Sequence, residues 1–231
     1  MEFFVISTGS SGNCYLLKTQ KECLVIENGV PFMEVKKALN FNIVQISGNL
    51  SSHQHLDHYK YTKEYRNAGI PTFCPFEQDK TDVVKKIVRF GGFTIQCFPL
   101  IHDVDCYGFY IKHKECGKCL FITDTEYVPQ IFRQLKINHI FVECNYISNM
   151  VDRSLPNYEH KLRHHMSLET CKSFVQSNAT DCLKTVVLLH MGVETCNPQE
   201  CVKEVKKCVK NANVDFAEKG KEFSLTDECP F

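Results

Sequence analysis

Ser47-Gly48-Asn49-Leu50-Ser51-Ser52-His53-Gln54-His55-Leu56-Asp57-His58 is the stretch whose reading decides the fold. Its second half, His-x-His-x-Asp-His, puts three imidazoles and one carboxylate into six residues. Buried without partners, such groups are costly or lose their charge. Around a borderline-soft divalent cation such as zinc they are ordinary ligands. Residues 43–52 read as a strand running into a loop, so His53 and His55, two positions apart, point the same way and can grip one ion. Asp57 and His58 follow the turn and can serve a second ion nearby. The bland alternative is a solvated, His-rich surface loop; the spacing and the ligand-type residues downstream speak against it.

His53-Gln54-His55-Leu56-Asp57-His58 resembles the signature of the metallo-β-lactamase-fold hydrolases. The resemblance implies an α+β chain folded as a four-layer αββα sandwich, with residues 1–231 forming a single domain. It also implies two divalent metal ions, zinc in the first instance and manganese or iron as alternatives. Upstream, Thr8-Gly9-Ser10-Ser11-Gly12-Asn13 separates the expected strands 2–7 and 14–17 and by itself reads only as a turn. A similar Gly-Ser-Ser-Gly-Asn loop marks the subgroup resembling the WalJ-type exonucleases. There it lies beside the metal site, which makes Asn13 a supporting or substrate-contacting residue.

The remaining ligand-type residues come at strand ends. His102 follows the hairpin expected over 87–98 and fits the third imidazole of the first ion, with Asp103 beside it able to orient a metal-bound ring. Leu120-Phe121-Ile122-Thr123-Asp124 is an apolar strand ending in a carboxylate, a natural bridge between two cations. Lys184–Leu189 is a buried strand ending in His190, which fits the second ion. The expected sets are His53, His55 and His102 for one ion and Asp57, His58 and His190 for the other, with Asp124 shared. By resemblance, Asn145 in Glu143-Cys144-Asn145-Tyr146 lines the pocket. His165, just before Met166-Ser167, lies near the scissile phosphate, so Asp57 and His165 are the expected catalytic residues.

Between these landmarks the expected helices are one opening at Pro31, then 59–66, 128–135, 168–177 with Ser167 as its cap, and 198–209. The aromatic and basic residues of 59–66 could rim the site, although a helix with one packed and one solvated face fits them better. Residues 147–164 read as an irregular loop, with His160, Lys161, Arg163, His164 and His165 as a basic patch. Residues 214–217 and 222–225 read as a closing strand pair. Cys116-Gly117-Lys118-Cys119 has half a zinc-site spacing but no second pair to complete it; a hairpin turn at Gly117-Lys118 fits better.

Composition narrows the partners. Lys and Arg together number 27, as do Asp and Glu, and a chain without net charge is poorly suited to wrapping long nucleic acid. A small substrate or a strand end reaching a local site fits better. Fourteen cysteines, no basic leader before the strand at residues 2–7, and no apolar run near the ~20 residues of a membrane span point to a cytoplasmic protein with reduced thiols and no membrane contact. A homodimer is a further expectation, since one subunit's loop could then cap the other's site.

Two cations can activate a water as hydroxide and hold both oxygens of an in-line displacement, which suits a phosphodiester. The expected activity is therefore a phosphodiesterase or nuclease acting on a nucleic-acid end or short oligonucleotide. A cyclic-nucleotide phosphodiesterase and a lactone or thioester hydrolase are the alternatives, and a non-catalytic metal-binding protein accords least with an unbroken ligand set. Asp124 and His190 are separated by 66 positions, too few for an inserted nucleic-acid clamp domain of the β-CASP type.

Overall fold

The computed structural model describes residues 1–152, 154 and 158–225, the side chains of His160 and Lys161 excepted. Its strands are β1 (Glu2–Ser7), β2 (Cys14–Lys18), β3 (Cys23–Ile26), β4 (Ile46–Leu50), β5 (Thr72–Phe73), β6 (Val88–Phe90) and β7 (Phe93–Leu100). They continue with β8 (Cys106–His113), β9 (Gly117–Ile122), β10 (His139–Glu143), β11 (Thr185–Leu189), β12 (Asn213–Phe216) and β13 (Glu222–Ser224). One sheet has the order β13-β1-β2-β3-β4-β5 and the other β12-β11-β10-β9-β8-β7-β6.

Side chains alternate across a strand, and here both faces are apolar. Phe3, Val5, Tyr15, Leu17, Leu24 and Ile26 of the first sheet meet Phe109, Phe121, Phe141, Val187 and Leu189 of the second in a central core. The rings of Phe3 and Phe141 stack there with centroids 4.0 Å apart. The alternate residues Cys14, Leu16, Cys23 and Val25 face outward to Phe32 and Val35 of the helix Phe32–Ala38 and to Tyr65 of the helix Thr62–Asn67. On the other side Leu120, Ile122, Ile140, Val142, Val186 and Leu188 pack against the helices Leu168–Asn178 and Pro198–Lys206. Three apolar interfaces thus separate four layers, αββα, as the sequence led us to expect.

Several local expectations are corrected. The helix expected over 59–66 is two pieces, Leu56–Tyr59 and Thr62–Asn67, because the Tyr61 amide leaves the helical ladder to donate to the Asn28 carbonyl. The hairpin turn lies at residues 114–116, ahead of the expected Gly117-Lys118, and Gly117 opens β9 with φ of 74°. A Cβ at Gly117 would fall 2.3 Å from Asn138 Oδ1, so glycine is needed there on both counts. Residues 128–135 hold only the 3-10 turn Arg133–Leu135, since the Phe132 amide donates to Asn178 Oδ1 instead of to a helical carbonyl. The segment 147–164 contains a helix, Tyr158–His164. Of the basic patch, Arg163 pairs with Glu159, and the side chains of His160 and Lys161 lie outside the described residues. The last two strands are not a pair: β12 lies parallel to β11 and β13 antiparallel to β1, in different sheets.

The pairing pattern makes β1, β3, β4 and β5 run one way in the first sheet, and β7, β9, β10, β11 and β12 share a direction in the second. The loops after β1, β3, β4, β7, β9, β10 and β11 gather at one end. Three of them touch backbone to backbone: Asn13 N–H donates to Asp57 C=O, Gly29 N–H to Asn13 C=O, and Asn28 N–H to His58 C=O. A Cβ at Gly29 would lie 1.7 Å from the Asp57 carbonyl oxygen, a contact backbone cannot relax cheaply. Gly29→Ala is expected to destabilise the chain by about 1–3 kcal/mol or more, read as a fall in the urea midpoint at constant slope. An unchanged midpoint would contradict this crossing of the loops.

Candidate metal centre

His53, His55 and His102 offer ring nitrogens that all lie within 4.8 Å of one another. His53 is fully buried after β4. Its Nδ1 bonds Ser52 Oγ at 2.8 Å, and its Nε2 lies 3.9 Å from Asp124 Oδ2 with no hydrogen-bond partner. A buried nitrogen lone pair without a partner is expensive in water-free surroundings and is satisfied by a cation. His102 is held from behind, its Nδ1 donating to the His164 carbonyl at 3.0 Å. Asp103 does not take that orienting place: its Oδ1 sits on the inner side, 3.1 Å from His102 Nε2 and 3.3 Å from His55 Nε2.

Asp57, His58, Asp124 and His190 form a second group within the same limit. Asp57 and His58 sit in the short helix Leu56–Tyr59 rather than beyond a turn, with the His58 and Tyr59 amides both donating to the His55 carbonyl. His58 Nε2 is 3.3 Å from Asp57 Oδ2 and 3.3 Å from Asp124 Oδ2, and His190 Nδ1 is 3.0 Å from Asp124 Oδ1. Asp124 thus reaches both groups. It and His190 follow β9 and β11 with positive φ, 46° and 49°, and Glu27 follows β3 at 68°. Left-handed backbone at three non-glycine residues costs roughly 1–2 kcal/mol each and bends the chain sharply at the strand ends, where the polar side chains are needed.

Glu27 and Glu143 are the residues the sequence reading passed over. Both are fully buried. Glu27 Oε2 lies 3.4 Å behind His58 Nδ1, outside hydrogen-bond geometry, while the Glu27 carboxylate accepts the Ser52 amide at 3.3 Å. Glu143 Oε1 lies 2.7 Å from His165 Nδ1 and 3.0 Å from His190 Nδ1, and Oε2 accepts the Thr125 and Met166 amides. A carboxylate behind an imidazole fixes its tautomer and raises its basicity. Each ends an apolar strand, the same signal that singled out Asp124.

The other expected residues divide. Asn13 is buried under the site, not in the cavity: Nδ2 reaches His58 Nε2 at 2.9 Å and Asp57 Oδ2 at 3.3 Å, and Oδ1 accepts from the Gly9 amide and Tyr15 hydroxyl. Asn145 does line the cavity and also donates to the His190 carbonyl at 2.9 Å. The cavity has a volume of about 570 Å³ and takes in His55, Asp57, His102, Asp124, His165 and His190. Tyr59 and Arg66 are not among its lining; both bond Glu77 instead.

Exodeoxyribonuclease YycJ of Bacillus anthracis is 27% identical to this chain, the match covering 55% of the chain and 56% of that protein. Exodeoxyribonuclease WalJ of Streptococcus pneumoniae is also 27% identical, over 55% of each. The chain spans about half the length of the curated relatives it matches. The metallo-β-lactamase fold protein YhfI from Bacillus subtilis superposes with a TM-score of 0.73 over 96% of this chain and 98% of its own, at 17% identity. The fold is that of the metallo-β-lactamases. No protein-family model matches the chain.

Within this metallo-β-lactamase fold the buried charges set opposite states on neighbouring imidazoles. Burial, reinforced by His58, holds His53 well below its ordinary pKa, so it is neutral. Burial also works against charge on His58, but Asp124 and then Glu27 raise it well above the ordinary value. His190 is likewise opposed by burial and pushed up to about 10, chiefly by Asp124. Without a cation, His58 and His190 therefore carry protons at neutral pH, on groups a metal needs neutral. Binding must expel those protons, so affinity rises as pH rises toward the folded-state values. Calorimetric metal titrations in two buffers of different ionisation enthalpy should show net proton release near neutral pH, and an affinity that climbs from about pH 6 to about pH 9. Binding without proton release would contradict these charge states. Glu143→Gln, which keeps shape but removes the charge behind His165 and His190, is expected to lower metal affinity or turnover about 10–100-fold. Wild-type values for both in a titration and a rate assay would remove Glu143 from the site.

Proposed function

We propose that this chain is a metal-dependent phosphodiesterase of the nuclease kind, acting at a nucleic-acid end or on a short oligonucleotide. One arrangement carries the reading: two neighbouring ligand groups, Asp124 belonging to the second and standing 3.9 Å from His53 of the first, beside an open cavity that also takes in His165. In this reading His53, His55 and His102 hold one divalent ion, and Asp57, His58 and His190 hold another. Zinc is the first choice for these ligands, with manganese and iron as alternatives. When bound, the ions supply Lewis acidity, withdrawing charge from phosphate oxygens and lowering the pKa of water.

The chain's own residues account for the rest. Asp124 offsets part of the cationic charge and fixes the spacing of the two groups. Asp57 faces the cavity from the helix Leu56–Tyr59, beside His58 and with its Oδ2 3.9 Å from His190 Nε2. His165 donates Nδ1–H to Glu143, and although burial opposes its charge, Glu143 raises its pKa. An imidazolium is thereby available to stabilise phosphoryl charge or to give a proton to the leaving oxygen. The exodeoxyribonuclease names of the two curated relatives support a strand-end substrate.

We place the chain in the cytoplasm: the thirteen cysteines among the described residues are all free. No helix among the described residues is long and apolar enough to cross a membrane.

The substrate is tested with end-labelled linear single-stranded DNA, closed circular DNA, cyclic nucleotides and a thioester, each with and without chelator. Chelator-sensitive release of nucleotides from the linear strand is expected, with the circle spared. Turnover of cyclic nucleotides alone would replace the strand end by a small nucleotide, and turnover of the thioester alone would overturn the phosphodiester reading.

A further inference from the structure

On the outer side of the second sheet three cysteines converge, and a fourth belongs to the same buried cluster. Cys144 directly follows β10, Cys171 lies in the helix Leu168–Asn178, and Cys196 and Cys201 flank the start of the helix Pro198–Lys206. All four are buried, Cys196 the least at 6% exposure. The sulfurs of Cys144, Cys196 and Cys201 lie within 4.8 Å of one another, and those of Cys196 and Cys201 are 3.1 Å apart. Cys171 lies in the same buried cluster, outside that set of three. Buried thiols normally serve as small apolar groups with no reason to crowd together. Ligands at about 2.3 Å from a tetrahedral zinc lie roughly 3.8 Å from one another, inside the limit that the sulfurs of Cys144, Cys196 and Cys201 meet. Cys196-x4-Cys201 has the ligand spacing found in structural zinc sites.

We propose that Cys144, Cys196 and Cys201 form a second, separate metal site for a soft divalent ion of the zinc class, with Cys171 of the same cluster as the candidate fourth thiolate. Binding is ligand exchange without electron transfer: each ligating thiol gives its proton to solvent as its sulfur bonds the ion. The nearby amino terminus of the nine-residue helix Pro198–Lys206 favours the negative charge that results. Such a site has a structural consequence for the cavity. Cys144 stands between Glu143 and Asn145, and the Cys196 sulfur bonds the Cys144 carbonyl at 3.4 Å. A bound ion would brace the end of β10 and two helices behind His165 and His190.

The whole chain, freed of metal and reduced with a phosphine under anaerobic conditions, is titrated with Co²⁺. Imidazole and carboxylate ligands give no strong near-ultraviolet band, whereas thiolates give an intense charge-transfer band. The expected result is such a band, saturating with one cobalt per chain in the thiolate cage, abolished in Cys201→Ser and retained in Cys182→Ser and Cys116→Ser. The wild-type spectrum stands even where Cys201→Ser does not fold. Folded wild-type protein without the band would overturn the site. So would a band lost in Cys116→Ser but kept in Cys201→Ser, or a Cys196–Cys201 disulfide in peptide maps of unreduced protein.

Discussion

Asp124→Asn is expected to cut phosphodiester hydrolysis by on the order of 10³-fold or more while the chain stays folded, because it removes the one charge shared by both ligand groups. Asp124 Oδ2 lies 3.3 Å from His58 and 3.9 Å from His53, and Oδ1 3.0 Å from His190. The neutral amide fills the same volume, and asparagine tolerates the left-handed backbone at φ 46°. Backbone strain is therefore not the variable. What changes is charge: burial opposes ionisation of Asp124, yet His190 and His58 hold its pKa well below the carboxylate range. In the proposed two-ion reading, the cations would lose the counter-charge that Asp124 supplies. Metal analysis should show fewer ions per chain, and circular dichroism an unchanged fold. Full activity at wild-type metal content would exclude Asp124 as the shared ligand.

His165→Ala is expected to lower kcat about 10²–10⁴-fold with metal content unchanged. His165 lines the cavity, and its Nδ1 is taken by Glu143 at 2.7 Å, which leaves Nε2 as the working atom. The ring also lies within the limit that groups it with Asp124, Glu143 and His190, so coordination is the competing role. The two roles separate in one experiment. A proton donor or charge stabiliser loses rate and alters the alkaline limb of the pH profile; a ligand loses metal. If the metal content of His165→Ala falls together with its rate, His165 belongs to the ligand set and the proton-donating role is wrong.

Strand ends explain both what could be read in the sequence and what could not. The αββα layering was implied by the resemblance that His53–His58 carries, and the apolar strands realise it by alternating between two cores, as Leu120, Phe121 and Ile122 do. Asp124 and His190 were legible because an apolar strand that stops at a ligand-type side chain has few other reasons to do so. Glu27 and Glu143 carry the same signal, but the resemblance gives neither a place in the ligand set, and their partners His58 and His165 arrive only through the fold. The support of His102 was out of reach altogether, since it is a backbone carbonyl, that of His164, and backbone leaves no mark in composition. Asp103, the adjacent carboxylate, took its place in the sequence reading. The left-handed bends at Glu27, Asp124 and His190 were equally hidden, because no glycine announces them. Of the two places open to Asn13, supporting or substrate-contacting, the structure has the supporting one: Gly12 and Gly29 let that loop press against the Asp57 backbone and carry Asn13 beneath the site.

The most direct measurement is hydrolysis of bis(p-nitrophenyl) phosphate by metal-free protein, before and after reloading with Zn²⁺, Mn²⁺ or Fe²⁺, with nitrocefin and a thioester alongside. Paired ligand groups joined by Asp124 predict phosphodiester cleavage that is absent without metal, restored by at least one of these ions, and lost again on chelation. Phosphodiester turnover by the metal-free protein, or none with any divalent ion while the ester or lactam is cleaved, would contradict it.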